Sequence, residues 1–511
     1  MQKYLITSTI ALTLFGCGGG GSSNPPAPLV KYFNIDFFDL SNVSDESNCQ
    51  IFAYNNDQTR KVIAYRSTPA DNYAIVIHDV NGQFVKSYTN QEITKASFRF
   101  PQDEVPDNGY ISFGEFSNSG TLHISTFEKS LLPESFAIYA KNKHANTACL
   151  TTSTNNSNPQ EVEYTAFIKP PTDDNFFFFN LNHYNQSSFN PANKDGVSVI
   201  VKATRHKPLL LTAYERSNTT PDAIKNLFAF KFEQTRGLGS TNTIGSPNIQ
   251  ERKELDEITI KDNQWNPPAN VTLSSAQLFV DGRQYQAPYA YLWQPLTTDS
   301  NGGSYSYTEK IKTENYYLNL QGQQPELNQQ PSWSFNIVAQ ADEDIASNLT
   351  PMNILDQYPN AEQPEITSCQ QDSNAQCIQV VDTSSVNELI QRIFVYRSLE
   401  NAPSIFVRQV FYTLSKTEIP VMKFNKDYID GGFSSTALGA SISLLHTKSR
   451  SVIDAFLYQH QDLSNITSAD QLPNAQVDYI PLLKNLTAQQ DQQDLLKRQT
   501  YTWLKLVEDN R

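Results

Sequence analysis

Along most of this chain the apolar positions come in short runs rich in Val, Ile, Phe and Tyr, separated by Gly, Pro, Asn and Asp. That punctuation is the signal of strands rather than of helices. The first runs are Val30 to Leu40, Gln50 to Tyr54, Val62 to Arg66 and Tyr73 to Asp79. Asn81-Gly82 lies between Ile75-Val76-Ile77-His78 and Phe84-Val85-Lys86-Ser87-Tyr88 and predicts a hairpin. A type I′ turn there needs positive φ at both central residues. Runs at Tyr110 to Phe116, Leu122 to Phe127 and Phe136 to Lys141 complete a predicted β-sandwich over 32–155.

A second β-rich block, 156–262, contains Tyr164 to Ile168, Phe176 to Asn182, Val197 to Ala203, Leu209 to Tyr214 and Phe228 to Phe232. Phe176 to Phe179 cannot all face one side of a strand, so that strand is expected to be buried on both faces. A third block, 263–365, again reads as a sandwich, with a turn at Asp281-Gly282. The last, 366–511, is mixed. Ser385-Val386-Asn387-Glu388 fits a capping box ahead of a short helix with Leu389, Ile390 and Ile393. Thr487-Ala488-Gln489-Gln490 predicts a terminal helix whose stripe is Leu495, Leu496, Trp503, Leu506 and Val507. The expected fold class is therefore mainly β, with tandem Ig-like β-sandwich domains and a C-terminal α-helix. A β-propeller is the alternative, disfavoured by 20 Gly and by the lack of a fixed-period repeat.

The N-terminus carries an address. Residues 1–16 hold Lys3 and then an apolar run, Leu5 to Phe15, the length of a signal-peptide core and too short to span a bilayer. Leu14-Phe15-Gly16-Cys17 resembles the lipobox of bacterial lipoproteins. The resemblance covers about the first twenty residues and implies cleavage before Cys17 after its thiol receives a diacylglycerol. Two or three acyl chains hold a protein to a membrane essentially permanently. Gly18 stands where retention at the inner membrane would favour aspartate, so the resemblance implies the outer membrane. Residues 17–31, rich in Gly, Ser and Pro, read as a tether.

Charge narrows the partners. With 39 Lys+Arg against 53 Asp+Glu the chain carries −14, which argues against nucleic acid. Setting Cys17 aside leaves Cys49, Cys149, Cys369 and Cys377, an even number in an oxidising compartment. Three pairings are possible. Cys49–Cys149 and Cys369–Cys377 are preferred because each closes within one block.

Chemistry is sparse. The seven histidines, His78, His123, His144, His183, His206, His446 and His460, show no zinc-hydrolase spacing. His78 and His123 read as solvent-facing or locally bonded. Ser434, between Gly432 and Thr436, is an incomplete nucleophile elbow, with His446 and Asp454 as sketched partners. Asp173-Asp174-Asn175, Asn193-Lys194-Asp195-Gly196 and Asp342-Glu343-Asp344 are calcium-like oxygen clusters that turn chemistry also explains. Four Trp is a modest endowment for stacking on sugars. No metal, cofactor or catalytic residue is expected. The reading is an envelope lipoprotein with a structural or binding role, contacting the membrane through its lipid and a protein or glycan through its loops. The alternative is an anchored hydrolase of polysaccharide or peptide.

Overall fold

The computed structural model describes residues 30–44, 48–54, 60–116, 120–140, 148–152, the strands between 161 and 257, 208, 260–325, 331–341, 349, 355–382, 386–426, 428–429, 432–434, 437–458, 482 and 484–507. The N-terminal strands are β1 (Tyr32–Val43), β2 (Ile51–Tyr54), β3 (Lys61–Arg66), β4 (Tyr73–His78), β5 (Phe84–Tyr88), β6 (Ser97–Pro101), β7 (Tyr110–Glu115), β8 (Thr121–Glu128) and β9 (Ser135–Tyr139). There follow β10 (Glu161–Lys169), β11 (Phe176–His183), β12 (Gln186–Asn193), β13 (Val197–Thr204), β14 (Leu209–Arg216), β15 (Ile224–Glu233), β16 (Arg252–Glu254), β17 (Asp256–Glu257) and β18 (Lys261–Trp265). Next come β19 (Thr272–Asp281), β20 (Ala290–Pro295), β21 (Gly303–Tyr307), β22 (Tyr316–Gln323), β23 (Ser332–Gln340), β24 (Glu365–Ser368) and β25 (Gln376–Gln379). The chain closes with β26 (Leu389–Ser398), β27 (Phe406–Leu414), β28 (Glu418–Pro420), β29 (Gly439–His446), α1 (Arg450–Leu457), α2 (Leu486–Leu496) and β30 (Tyr501–Val507).

The class is mainly β, as the run pattern predicts. The dominant element is one twelve-stranded sheet, ordered β20-β19-β22-β23-β30-β29-β26-β27-β8-β7-β4-β5. Its strands come from three of the four compositional blocks. Backbone hydrogen bonds cross the drawn boundaries where β27 pairs with β8 in parallel and where β23 pairs with β30. No radial set of four-stranded blades, as a propeller needs, occurs among the described strands.

This sheet is buried on both faces. All six residues of β4 are buried. Ala74 and Val76 point into one apolar cluster with Leu278, Trp333 and Ile393, whereas Tyr73, Ile75 and Ile77 point into the other. The second cluster is completed by Phe33, Ile35 and Phe37 of β1, so a five-stranded sheet (β2-β3-β1-β6, with β9 on β1) stacks on the large one. Val452, Phe456 and Leu457 of α1 join the same layer. Fully burying one such side chain contributes about 1.5–3 kcal/mol, so this layer dominates the cohesion of the fold.

Three local expectations are corrected. Glu388, Leu389, Ile390 and Ile393 do not start a helix: Leu389–Ser398 is β26, held between β27 and β29. Strand neighbours on both sides satisfy every ladder position, and that tertiary gain exceeds a propensity difference of tenths of a kcal/mol. The terminal helix stops at Leu496, and Trp503, Leu506 and Val507 belong to β30, inserted between β23 and β29. The α2 N-cap is Asn485, whose Oδ1 accepts from the Ala488 N–H at 2.9 Å. The Asn81-Gly82 hairpin forms, but only Gly82 has positive φ, at 72°. The Gly82 N–H donates to the Asp79 carbonyl, so the loop is a tight turn closed by a left-handed glycine and not type I′.

Both preferred disulfides, Cys49–Cys149 and Cys369–Cys377, are present. The first closes a loop of sequence separation 100, worth about 4.7 kcal/mol in the chain-entropy treatment. It clamps the five-stranded sheet where Cys149 bridges Tyr65. The C-terminal helix docks on the same sheet. Asn485 Nδ2 donates to Gln50 Oε1 at 2.8 Å and Gln489 Nε2 donates to the Phe52 carbonyl at 3.2 Å.

His78, at the end of β4, is fully buried, and burial lowers its pKa to about 3, partly opposed by the Lys423 and Gly82 carbonyls. The folded chain therefore keeps this imidazole neutral while the unfolded chain protonates it near 6.5. Stability is expected to fall as pH drops through that window, by about 1.4 kcal/mol per pH unit from this group. Urea midpoints recorded from neutral pH towards pH 4 should show the slope, and H78Q should flatten it; an unchanged slope in H78Q would refute the assignment.

Candidate functional site

Two arrangements on the molecule gather polar groups. The first is buried in the large sheet. Alternation along β4, β7, β8, β27 and β26 turns His78, Ser112, Thr126, Gln409 and Arg397 to the same face as Val76, Ile124 and Val395. They form a chain of hydrogen bonds, one residue per strand. His78 Nε2 lies 3.0 Å from Ser112 Oγ, and Ser112 Oγ lies 2.8 Å from Thr126 Oγ1. Gln409 Nε2 donates to Thr126 Oγ1 at 3.0 Å, and Arg397 Nη2 donates to Gln409 Oε1 at 3.1 Å. The Arg397 guanidinium lies 3.7 Å from the Phe433 ring centre, and burial lowers its pKa to about 9. Its Nε and Nη1 have no hydrogen-bond partner.

His78 and Ser112 have the spacing of a base and a nucleophile. Both are wholly inside the sheet layer, and Ser112 Oγ already bonds Thr126, so no substrate atom can reach them. The row is structural. Nothing in local sequence marks it except polar residues at inward positions of apolar strands, such as Ser112 between Ile111 and Phe113.

The second arrangement is an open cleft of about 920 Å³. One side of it is lined by Gln324 and Pro325 just after β22 and by Pro331 and Ser332 at the start of β23. Gln324 is fixed there by two contacts with Trp333: its N–H donates to the Trp333 carbonyl at 2.9 Å, and its Oε1 accepts the Trp333 N–H at 3.2 Å. Trp333 is fully buried, and its indole N–H donates to the Pro359 carbonyl at 2.9 Å. That bond pins the segment bearing Asn360, Ala361, Glu362 and Gln363. The floor is β24 and β25, whose hairpin is closed by Cys369–Cys377 and whose register sets Glu365 opposite Gln379. Asn270, left-handed at φ 61°, completes the rim.

The side chains of Asn270, Asn360, Glu362, Gln363, Glu365 and Gln379 make no hydrogen bond among the described residues, and all line one concavity. No Lys or Arg is among the described lining residues. A smaller cleft, about 590 Å³, runs past His446, Lys448 and Arg498. There the polar groups are already engaged. His446 Nδ1 lies 2.9 Å from Tyr358 Oη, and burial lowers the pKa of that histidine. Lys448 pairs with Glu388 at 3.9 Å, and Arg498 bridges Asp494 at 3.0 Å and Asp281 at 3.5 Å.

No family model matches the chain, and no curated protein matches it.

The sketched Ser434, His446 and Asp454 constellation is dismantled by the fold. The Ser434 N–H bonds the Ser398 carbonyl at one end of β26, while His446 pairs with Leu389 at the other. Those ends are nine residue steps apart along β26, about 30 Å. Asp454 pairs instead with Arg450 on α1 at 3.0 Å. His123 is buried, whereas His144, His206 and His460 and the clusters at 173–175, 194–196 and 342–344 lie outside the described residues, as does Cys17. Of His183 only the backbone, at the end of β11, is described. Cys369, Cys377 and Glu418 come close together, but the sulfurs are bonded to each other and offer no thiolate to a metal.

Removing one link of the buried row should cost more than removing its charged end. Q409A leaves Arg397 Nη2 without its acceptor and Thr126 bonded to Ser112 alone, and is expected to lose about 2–4 kcal/mol in urea unfolding. R397M, which replaces a desolvated cation by an apolar chain, should change stability by less than about 1 kcal/mol. The reverse order would show that the guanidinium, and not the amide, holds the row.

Proposed function

We propose that this protein is a lipid-anchored component of the bacterial cell envelope, at the outer membrane, whose folded part has a binding or scaffolding role. The observation that carries the anchor is the cysteine balance. Four of the five cysteines pair with one another, which leaves Cys17 as the thiol available for acylation. The first strand begins at Tyr32, directly after the Gly/Ser/Pro tether, so the fold starts where the spacer ends. Among the described residues no helix is long and apolar enough to cross a membrane, and an anchored protein needs none.

The binding role is supported by the contrast between the two polar arrangements. Inside the sheet every strand crossed contributes one bonded link, whereas in the large cleft six amide and carboxylate side chains have no hydrogen-bond partner among the described residues. Uncommitted, convergent polar groups in a concavity favour recognition over internal cohesion. A serine-type hydrolytic role is disfavoured because Ser434 and His446 stand at opposite ends of β26.

The anchor is tested on protein isolated from cells. Intact-mass measurement should find a cleaved N-terminus at Cys17 carrying diacylglycerol, and detergent phase separation should place the protein in the detergent-rich phase. C17S should move to the aqueous phase with its fold unchanged. Wild-type protein without fatty acid, recovered from the aqueous phase, would overturn the proposal.

A further inference from the structure

We infer that the large cleft beside β24 binds a neutral, hydroxyl-rich ligand, that is, an uncharged oligosaccharide. The inference deepens the binding role proposed above and rests on it. Four amides, Asn270, Asn360, Gln363 and Gln379, each offer a donor and an acceptor, and Glu362 and Glu365 each offer two acceptor oxygens. A sugar hydroxyl is both donor and acceptor, and neighbouring hydroxyls present pairs, which is the pattern that amides and carboxylates match. Glu365 and Gln379 face each other across the β24–β25 ladder, their Cβ atoms about 5 Å apart, so a carboxylate and an amide spring from one rigid hairpin. The disulfide Cys369–Cys377 holds that hairpin in place without ligand.

Charge sets the class further. Two carboxylates with no cation among the described lining residues, on a chain of net charge −14, repel acidic sugars and phosphates. The ratio of four amides to two carboxylates distinguishes the cleft from a cation trap, which would concentrate acceptors alone. Stacking contributes little. Trp265, Trp293 and Trp333 are fully buried with their indole N–H groups bonded to carbonyls, and Trp503 packs on Phe456. A site that works by hydrogen bonds to solvated hydroxyls is weak, with a dissociation constant of about 1 mM for a short oligomer.

Saturation-transfer NMR on the full mature chain carrying C17S, and calorimetry where affinity permits, would use three kinds of probe. They are neutral hexasaccharides (maltohexaose, cellohexaose and chitohexaose), hexagalacturonate and hexalysine. At least one neutral oligomer is expected to bind, and Q363A and Q379A should each weaken it about fivefold to tenfold. K448A, in the smaller cleft, should leave it unchanged. Gln363 is exposed, so Q363A is expected to fold even if the β25 variant does not. Absence of binding by every neutral oligomer, binding unaffected by Q363A, or binding of hexalysine or hexagalacturonate alone would overturn the inference. Because the probe is added to unacylated protein, failure here is separate from failure of the lipid anchor, which is read by mass and phase separation.

Discussion

Burial of a twelve-stranded sheet on both of its faces is the constraint from which the rest of the molecule follows. A strand with one wet face can leave polar side chains to solvent, whereas one covered on both sides must satisfy each of them internally. His78, Ser112, Thr126, Gln409 and Arg397 meet that requirement in part by bonding across neighbouring strands, while Arg397 Nε and Nη1 find no partner among the described residues. Lys416 does the same at the edge of the layer, between Glu128 at 2.9 Å and Tyr110 at 2.7 Å. Three buried tryptophans meet it with one carbonyl each. A lone buried donor or acceptor costs about 1–3 kcal/mol, which favours these bonds.

The same sheet makes the two ends of the chain interdependent. β8 lies beside β27, and β30 lies between β23 and β29, so the central ladder closes only when residues hundreds of positions apart meet. Docking of α2 on the five-stranded sheet adds another such contact. Pairings of this range delay the return on loop-closure entropy and imply slow folding. The disulfides sit outside the central ladder, one in the five-stranded sheet and one in the β24–β25 hairpin. They stiffen the periphery while apolar burial holds the middle. The large cleft lies at that periphery, where the polar groups are no longer required for internal bonding.

Much of this was legible in the chain and some was not. Runs such as Tyr73 to His78 and Tyr110 to Glu115 are strands because alternation with β-branched and aromatic residues has few other solutions. The even cysteine count left three pairings, and the one preferred because each bond closes within one block is the one that forms. Leu389, Ile390 and Ile393, and likewise Leu496, Trp503 and Leu506, misled because a strand covered on both faces shows no period of two, leaving apolar spacings that also fit a helix. What settled them was the pair of open ladders waiting on each side.

Local residue chemistry by itself determined most strand positions, the turn at Gly82, the even cysteine count, the acidic balance and the lipobox-like N-terminus, since each depends on neighbours in sequence or on simple counts. Tertiary structure alone decided that strands from separate blocks share one sheet, that five polar residues from five strands align, and that Ser434 and His446 stand far apart. It also decided that Asn270, Asn360, Gln363 and Gln379 converge on one cleft. The physical reason is that these relations are distances between segments remote along the chain, set by which sheet edges are free and which faces must be covered, and no local pattern encodes them.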